Sequence, residues 1–142
     1  SSRFNTAYRA KLSLNTSNVK TMSKLFHYTY VSYLDLSDLD VRTVTNFSKA
    51  FDYTWLYELD LTNWNTISAT DMSNMFGGST WLVKIYASDS FTTANVTSYN
   101  GIFRSLSAYR GQAGSAIPND NSIEYAHIDG GTANPGAFWR KP

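Results

Sequence analysis

The chain has no cysteine among its 142 residues, which excludes disulfides and thiolate metal sites. No apolar run approaches the roughly 20 residues of a membrane span, so we expect no membrane insertion by this fragment. Twelve basic residues face eleven acidic ones, a net charge of +1. A balance this even predicts no attraction to nucleic acid. The stability of the chain must therefore come from its packed core.

Residue patterns for catalysis are also scarce. His127 and Asp129 lie two positions apart and could share one strand face, but no Gly-x-Ser-x-Gly elbow accompanies them. His27, the other histidine, has no second metal ligand at helical spacing. No glycine loop of the phosphate-binding type precedes a helix. The sequence predicts a protein that is not an enzyme and that needs neither metal nor cofactor.

The sequence does contain a repeat, clearest in residues 34–51 (LDLSDLDVRTVTNFSKAF) and 59–76 (LDLTNWNTISATDMSNMF). The repeats close on Phe26, Phe51, Phe76 and Phe103, so the period is 25, 25 and then 27 residues. A fixed period of this size indicates stacked supersecondary units. Four further columns keep step: Leu14, Leu39, Trp64 and Phe91; Val19, Val44, Ala69 and Val96; Met22, Phe47, Met72 and Tyr99; and Leu34, Leu59 and Ile85.

Each repeat has two parts with different periodicities. Apolar and polar residues alternate at positions 34–36 and 59–61, as in a half-buried strand. Met72, Met75 and Phe76 are spaced i, i+3 and i+4, which predicts one face of a helical turn. Thr70 or Asp71 would be its N-cap. By the same pattern, Thr45 or Asn46 would cap a helical turn in the preceding repeat. We therefore expect each repeat to form a strand, a turn, a short helix and a second turn.

The repeated pattern resembles the BspA-like leucine-rich repeats of bacterial surface proteins. The tail at residues 128–136 (IDGGTANPG) resembles the segment that closes such arrays in lactic-acid-bacterial surface proteins. The resemblance implies an α/β fold, a short right-handed leucine-rich-repeat-type solenoid of about four coils with 25–27 residues each. It also implies an extracellular place on a Gram-positive cell surface. The opening SSRFNT suggests a fragment of a longer exported protein.

The expected organisation is one domain in three parts. Residues 12–103 would form the repeats and residues 104–142 a C-terminal cap, in which residues 123–128 are predicted to be a strand. Residues 1–11 would be an N-terminal cap or a degenerate repeat. Phe4 and Tyr8 there are four apart, as on one face of a short helix.

Two carboxylates raise the question of a cation site. Asp35 and Asp60 hold the same strand position, so stacking would bring like charges together. Each could bond donors in its own repeat, or both could hold a cation with Glu58 beside them. Lys84 could neutralise the cluster. Because each repeat supplies one such carboxylate and no oxygen-rich loop is present, we predict no tight calcium site.

An aromatic column offers the clearest candidate site. Tyr30 and Trp55 follow the closing phenylalanines by four residues and Trp81 by five, and strand alternation points all three outward. The rings could cover the sheet edge by packing on each other, or they could form a contact surface for a ligand. The predicted ligand-binding residues are Tyr30, Trp55, Trp81, Tyr33, Glu58, Lys84 and Tyr86.

The function expected from this site and from the resemblance is non-catalytic adhesion to a host or extracellular-matrix glycoprotein or glycan. One alternative is a structural spacer that self-associates weakly. Another is an accessory domain that presents carbohydrate to a larger surface protein. An exposed aromatic column would favour binding or presentation, whereas a buried column with a bare end would favour the spacer.

Overall fold

The computed structural model describes residues 9–142, in which four short strands precede two 3₁₀ helices. The strands are β1 (Arg9–Lys11), β2 (Tyr33–Asp35), β3 (Glu58–Asp60) and β4 (Lys84–Tyr86). The 3₁₀ helices span Ile123–Tyr125 and Gly131–Ala133. The helical turn predicted for Phe4 and Tyr8 lies outside the described residues.

All four strands pair in parallel, in chain order, as one sheet. Leu34 is opposite Leu59, and Leu59 is opposite Ile85, so one predicted column is paired in register. These three side chains are buried. Since side chains alternate across a strand, the residues on either side of them point to the other face of the sheet. That outer face carries the candidate site.

A second set of hydrogen bonds joins the repeats on the far side of the core. We call these segments the arcs: residues 21–28, 46–53, 71–78 and 98–105. Bridges connect Asn46 to Thr21 and to Asp71, and Asp71 to Ser98. Beyond Asn46, every second amide bonds to the next repeat. The donors Phe47, Lys49, Phe51 and Tyr53 reach the carbonyls of Asp71, Ser73, Met75 and Gly77 at 2.8–3.0 Å.

These arcs overturn the predicted fold class. Residues 9–142 contain no α-helix, so an α/β leucine-rich-repeat solenoid with a helix in each coil is wrong. The chain is a small β-rich fold built on a four-stranded parallel sheet. The reason is a competition for amides: an α-helix needs each amide for its own segment, whereas here alternate amides bond the neighbouring repeat.

The backbone of the arcs also excludes a helix. Two positions in each arc have positive φ, lying two residues before and two after the closing phenylalanine. In the second repeat they are Lys49 (56°) and Tyr53 (52°). Asn46 and Asp71, predicted as helix N-caps, instead accept the amides of Ser48 and Ser73, two residues on. That is the geometry of an Asx turn.

The core is organised around the closing phenylalanines. Rings of Phe26, Phe51, Phe76 and Phe103 stack in sequence, with centroids 5.5–5.9 Å apart. The last three are fully buried, as the period predicted. Leu14 departs from its column because it is 59% exposed, whereas its equivalents Leu39, Trp64 and Phe91 are buried.

The C-terminal segment covers the outer edge of β4. The amide of Trp139 donates to the carbonyl of Ile85, and the Trp139 carbonyl accepts the amide of Ala87. Phe138 is fully buried against the rings of Phe76 and Phe91. The strand predicted for residues 123–128 is wrong, because this segment begins with a 3₁₀ helix. Among residues 9–142 no helix is long and apolar enough to cross a membrane.

Candidate functional site: the sheet groove and the aromatic ladder

The outer face of the sheet is hollowed into a groove of about 320 Å³, which we call the sheet groove. It exists because alternate residues of four adjacent strands point the same way and the C-terminal Lys141 folds over one side. Its lining side chains are mostly polar or aromatic. They include Arg9, Lys11, Tyr33, Asp35, Glu58, Asp60, Tyr86 and Lys141.

Basic residues neutralise the two aspartates of the groove. Lys11 lies 3.7 Å from Asp35, and the Lys141 ammonium donates to Asp60 at 2.8 Å. Both aspartates also accept the amide two residues along their own repeat, that of Ser37 for Asp35 and of Thr62 for Asp60. The paired carboxylates are therefore structural, each satisfied by a donor in its own repeat and by a lysine.

The protonation of the groove follows from these contacts. Burial alone would raise the pKa of Asp35, but hydrogen bonds from Ser37 and the charge of Lys11 outweigh it and lower the pKa. Hydrogen bonding to Asp60 raises the pKa of Lys141. The groove thus keeps fixed opposite charges at neutral pH.

Glu58 differs from the two aspartates. It lies in register between Tyr33 and Lys84, in the middle of the sheet face. Within the described part of the chain its carboxylate forms no salt bridge, because the Lys84 ammonium instead lies 4.8 Å from the ring of Trp139. Lys84 forms no salt bridge with the acidic cluster among the described residues; Lys11 and Lys141 lie against its two aspartates instead. Among the described residues, Glu58 is thus a carboxylate of the groove that no lysine or arginine neutralises.

The predicted aromatic column is a continuous stack, here called the aromatic ladder. Tyr30 and Trp55 stack with centroids 5.4 Å apart, and Trp55 and Trp81 stack at 6.4 Å. Each ring lies three positions before the first residue of the strand that follows it. Tyr30 is 75% and Trp81 47% exposed, and Trp55 between them is half-buried. The ladder therefore packs on itself and also faces solvent.

This geometry limits how the ladder can bind a ligand. Planes of successive rings lie within 9–14° of parallel, so the inner faces of the rings point toward a neighbouring ring. What remains exposed is a row of ring edges, which carry partial positive charge. Such a row suits carbonyl and hydroxyl oxygens better than the flat stacking of sugar rings along its whole length.

Tyr33 and Tyr86 complete the aromatic part of the groove. Tyr33 meets Tyr57 edge to face at 5.8 Å, and the Arg9 guanidinium lies 3.9 Å over the Tyr33 ring. The Lys141 ammonium lies 5.1 Å over Tyr86. The structure thus brings Tyr33, Glu58 and Tyr86 together in the groove. Lys84 lies at its margin, against Trp139.

Sequence reasoning missed a second aromatic stack on the arcs. Tyr28 and Tyr53 stack at 5.9 Å, and the Arg104 guanidinium lies 5.5 Å from the Tyr53 ring. Gly78 makes room for this stack, because a Cβ there would lie 2.4 Å from the Tyr53 ring. The signal was present in the sequence, since Tyr28, Tyr53 and Gly78 each follow a closing phenylalanine by two residues.

The catalytic pairing considered for His127 and Asp129 does not form. His127 Nδ1 contacts the carbonyl of Ile128 at 2.7 Å, and the buried Asp129 accepts bonds from loop residues instead. Its donors are the amides of Ala113, Ser115, Gly131 and Gly136 and the Ser115 hydroxyl. In the described ranges no group of three His, Cys, Asp or Glu residues is placed to hold a metal ion.

Comparison with known protein families gives a match that covers the repeats. A family model described as a Mycoplasma protein of unknown function, DUF285, matches residues 2–115. The chain belongs to this family. The DUF285 match contains all four strands, the aromatic ladder and the arcs, while the C-terminal segment that covers β4 lies beyond it. No curated protein and no solved structure matches the chain significantly.

Proposed function

We propose that this DUF285 chain is a non-catalytic binding module of a bacterial cell surface, which adheres to a host or extracellular-matrix glycoprotein or glycan. The observation that carries the proposal is the exposed aromatic ladder, one ring from each of three successive repeats. Exposed aromatic strips are typical of contact sites. The resemblance to BspA-like repeats supports the same role and an extracellular place.

The ligand surface in this proposal combines the aromatic ladder with the sheet groove. Three repeats span about 10 Å, two strand spacings, which matches a short saccharide or an extended peptide. The ring edges would contact ligand oxygens, and Glu58 would accept a hydroxyl or amide proton. The outer face of Tyr30, which is 75% exposed at one end of the ladder, would take a sugar ring or a proline.

The test is truncation of the central ring. Trp55→Ala should weaken adhesion to mucin, fibronectin or collagen by roughly 2 kcal/mol, about thirtyfold, measured by surface plasmon resonance. Ile67→Ala is a matched control, because Ile67 is 45% exposed and lies outside both the ladder and the groove. Circular dichroism should show both variants folded. Equal adhesion of the parent and Trp55→Ala would remove the ladder from the binding site.

Self-association is a second candidate, favoured by the fourth repeat. The bridges between arcs run from Thr21 to Ser98, and among the described residues no bridge continues beyond Ser98. Thr97, Ser98, Tyr99 and Asn100 are exposed there beside a cleft. Asn121 and Asp120 accept the amides of Gly101 and Phe103, so the uncovered part of this edge is short. An uncovered edge can pair with another chain. Sedimentation velocity at increasing concentration tests this candidate, and a monomer throughout would exclude it.

A further inference from the structure

A second cleft, of about 360 Å³, lies on the arcs, and its lining residues include none from the sheet groove. We call it the arc cleft. Lys24, Lys49 and Arg104 line it, together with the stacked Tyr28 and Tyr53. Its volume is at the lower end of the range of small-molecule sites. The cleft is therefore the right size for one sugar unit.

The charge of the arc cleft is unbalanced. Two lysines and one arginine line it, and Asp52 is its only carboxylate. His27 also lines the cleft, with its Nδ1 3.6 Å from Asp52 Oδ1. The amide of Lys24 bonds to Ser48 and that of Lys49 to Ser73, so the two lysines occupy equivalent positions in adjacent repeats. Two like charges one strand spacing apart repel each other. Within residues 9–142 neither lysine has a salt-bridge partner, so a bound anion would relieve this repulsion.

Backbone conformation makes these residues unusual. Lys24, Tyr28, Lys49 and Tyr53 have φ between 52° and 59°, in the left-handed region. The same positions of the third and fourth repeats hold Asn74, Gly78, Gly101 and Ser105. Asparagine and glycine tolerate this conformation, whereas long or bulky side chains do not. Side chains that the backbone disfavours are thus concentrated around one cleft, which is typical of a functional site.

The cationic side chains of the arc cleft indicate which kind of anion fits. The Arg104 guanidinium already donates to Oδ1 of the Asn74 side chain and, at 3.2 Å, to the Tyr53 hydroxyl. Two of its five N–H donors are thus engaged within the protein, so Arg104 is held at the cleft and adds positive charge there. Lysine ammonium groups are flexible point charges, which suit an oxyanion with oxygens in several directions.

We propose that the arc cleft binds a tetrahedral oxyanion, a sulfate or phosphate ester carried on a sugar-sized group. Lys24 and Lys49 contact the oxyanion, Arg104 adds charge, and the exposed Tyr28 lies beside the sugar. Asp52 opposes binding through its negative charge: it is buried, its Oδ1 accepts no hydrogen bond, and the nearest basic group to that oxygen is His27 Nδ1 at 3.6 Å. This site is independent of the aromatic ladder and the sheet groove.

The test is calorimetric titration with N-acetylglucosamine 6-sulfate, its 6-phosphate and the unsubstituted sugar, with inorganic sulfate as a fourth arm. We expect the two esters to bind and the unsubstituted sugar not to bind. The stronger ester identifies the oxyanion. Inorganic sulfate binding as tightly as the sulfated sugar would contradict a sugar-sized ligand.

Variants that remove either positive or negative charge from the arc cleft test the proposal further. Lys24→Asn with Lys49→Asn keeps a residue that tolerates the left-handed backbone and should weaken ester binding by about tenfold or more. Asp52→Asn should tighten it. Lys20→Gln removes one positive charge from outside the cleft, and Tyr33→Ala alters the sheet groove, so neither should change the affinity. Absence of ester binding by the parent, or equal loss in Lys20→Gln, would overturn the proposal.

Discussion

At the scale of single residues, the left-handed positions of the arcs connect stability with binding. A non-glycine residue there costs roughly 1–2 kcal/mol relative to its preferred conformation. Lys49 (φ 56°) bears that cost, whereas Asn74, at the same position one repeat on, bears less of it. The chain is therefore less stable than its repeat pattern would allow, and the difference is concentrated around the arc cleft.

Lys49→Asn should consequently stabilise the chain by about 0.5–1 kcal/mol, because asparagine tolerates the left-handed region better and a charge repulsion with Lys24 disappears. Chemical denaturation with urea measures this gain. Lys20→Gln, which removes the same charge from another position, is the control and should change the stability little. A destabilised Lys49→Asn would show that the lysine contributes packing that outweighs its strain.

Asp129 is the second residue whose role can be tested alone. Burial would raise its pKa, but bonds from Gly131, Ser115 and Ala113 lower it to about 2, from an ordinary value of 3.8. Because the folded state holds the charged form, Asp129 stabilises the fold above pH 4, and this stabilisation disappears as the pH falls toward 2. The difference corresponds to about 2 kcal/mol.

Asp129→Asn should therefore destabilise the fold at pH 7 by on the order of 3 kcal/mol, since an amide cannot replace a carboxylate that accepts from so many donors. The difference in free energy of unfolding between the parent and Asp129→Asn, measured by urea denaturation, should decrease between pH 4 and pH 2. A difference that stays constant over this range would mean that the lost hydrogen bonds, and not the lost charge, cause the destabilisation.

At the scale of elements, the sequence predicted which residues stack but not how the backbone between them runs. The 25-residue period identified Phe51 and Phe76 as buried neighbours, and it paired Leu34 with Leu59. Both a helix and an arc bury i, i+3 and i+4 positions, so this spacing does not separate them. The choice depends on whether amides bond within a segment or to the next repeat, and that partner is about 25 residues away.

The same limit applies to the candidate site. The outward direction of the aromatic ladder could be predicted, because strand alternation depends only on neighbouring positions in the sequence. The approach of Lys141 to Asp60 joins residues 81 positions apart, and no spacing in the sequence indicates it. The arc cleft was missed for a related reason: its lysines were assigned to helical turns, which would have placed them differently.

The C-terminal segment is an element whose removal can be tested directly. Ending the chain after Gly136 removes Phe138 from the core and exposes the edge of β4. We expect a loss of about 3–5 kcal/mol and association through the exposed edge. Ending the chain after Trp139 keeps the edge covered but loses the ion pairs of Lys141 with Asp60 and of Arg140 with Asp89, so it should cost less, on the order of 1 kcal/mol. Light scattering and urea denaturation of both truncations measure these effects, and equal behaviour would contradict a role for residues 137–139.

At the scale of the whole molecule, each repeat contacts mainly the repeats on either side of it. The four phenylalanine rings form one stack, in which Phe51 has a ring above and below, whereas among the described residues Phe26 has one ring neighbour. Phe26 is also only partly buried. Stability in such a stack is a sum of repeat and interface contributions, so position along the stack matters.

Phe51→Ala should cost about 3–5 kcal/mol, and Phe26→Ala about half as much, because the central ring leaves a closed cavity and the end ring does not. Thermal and urea unfolding of the two variants provide the comparison. A Phe51→Ala cost below about 1 kcal/mol would contradict the stack as the centre of the core.

The backbone hydrogen bonds between arcs affect how this chain could evolve. Amides of one repeat meet carbonyls at the equivalent positions of the next, so each interface repeats the one before it. A duplicated 25-residue unit inserted between β2 and β3 would find the same partners on both sides. Gene duplication could therefore lengthen the ladder and both clefts by about 4.8 Å per copy without redesign of either end.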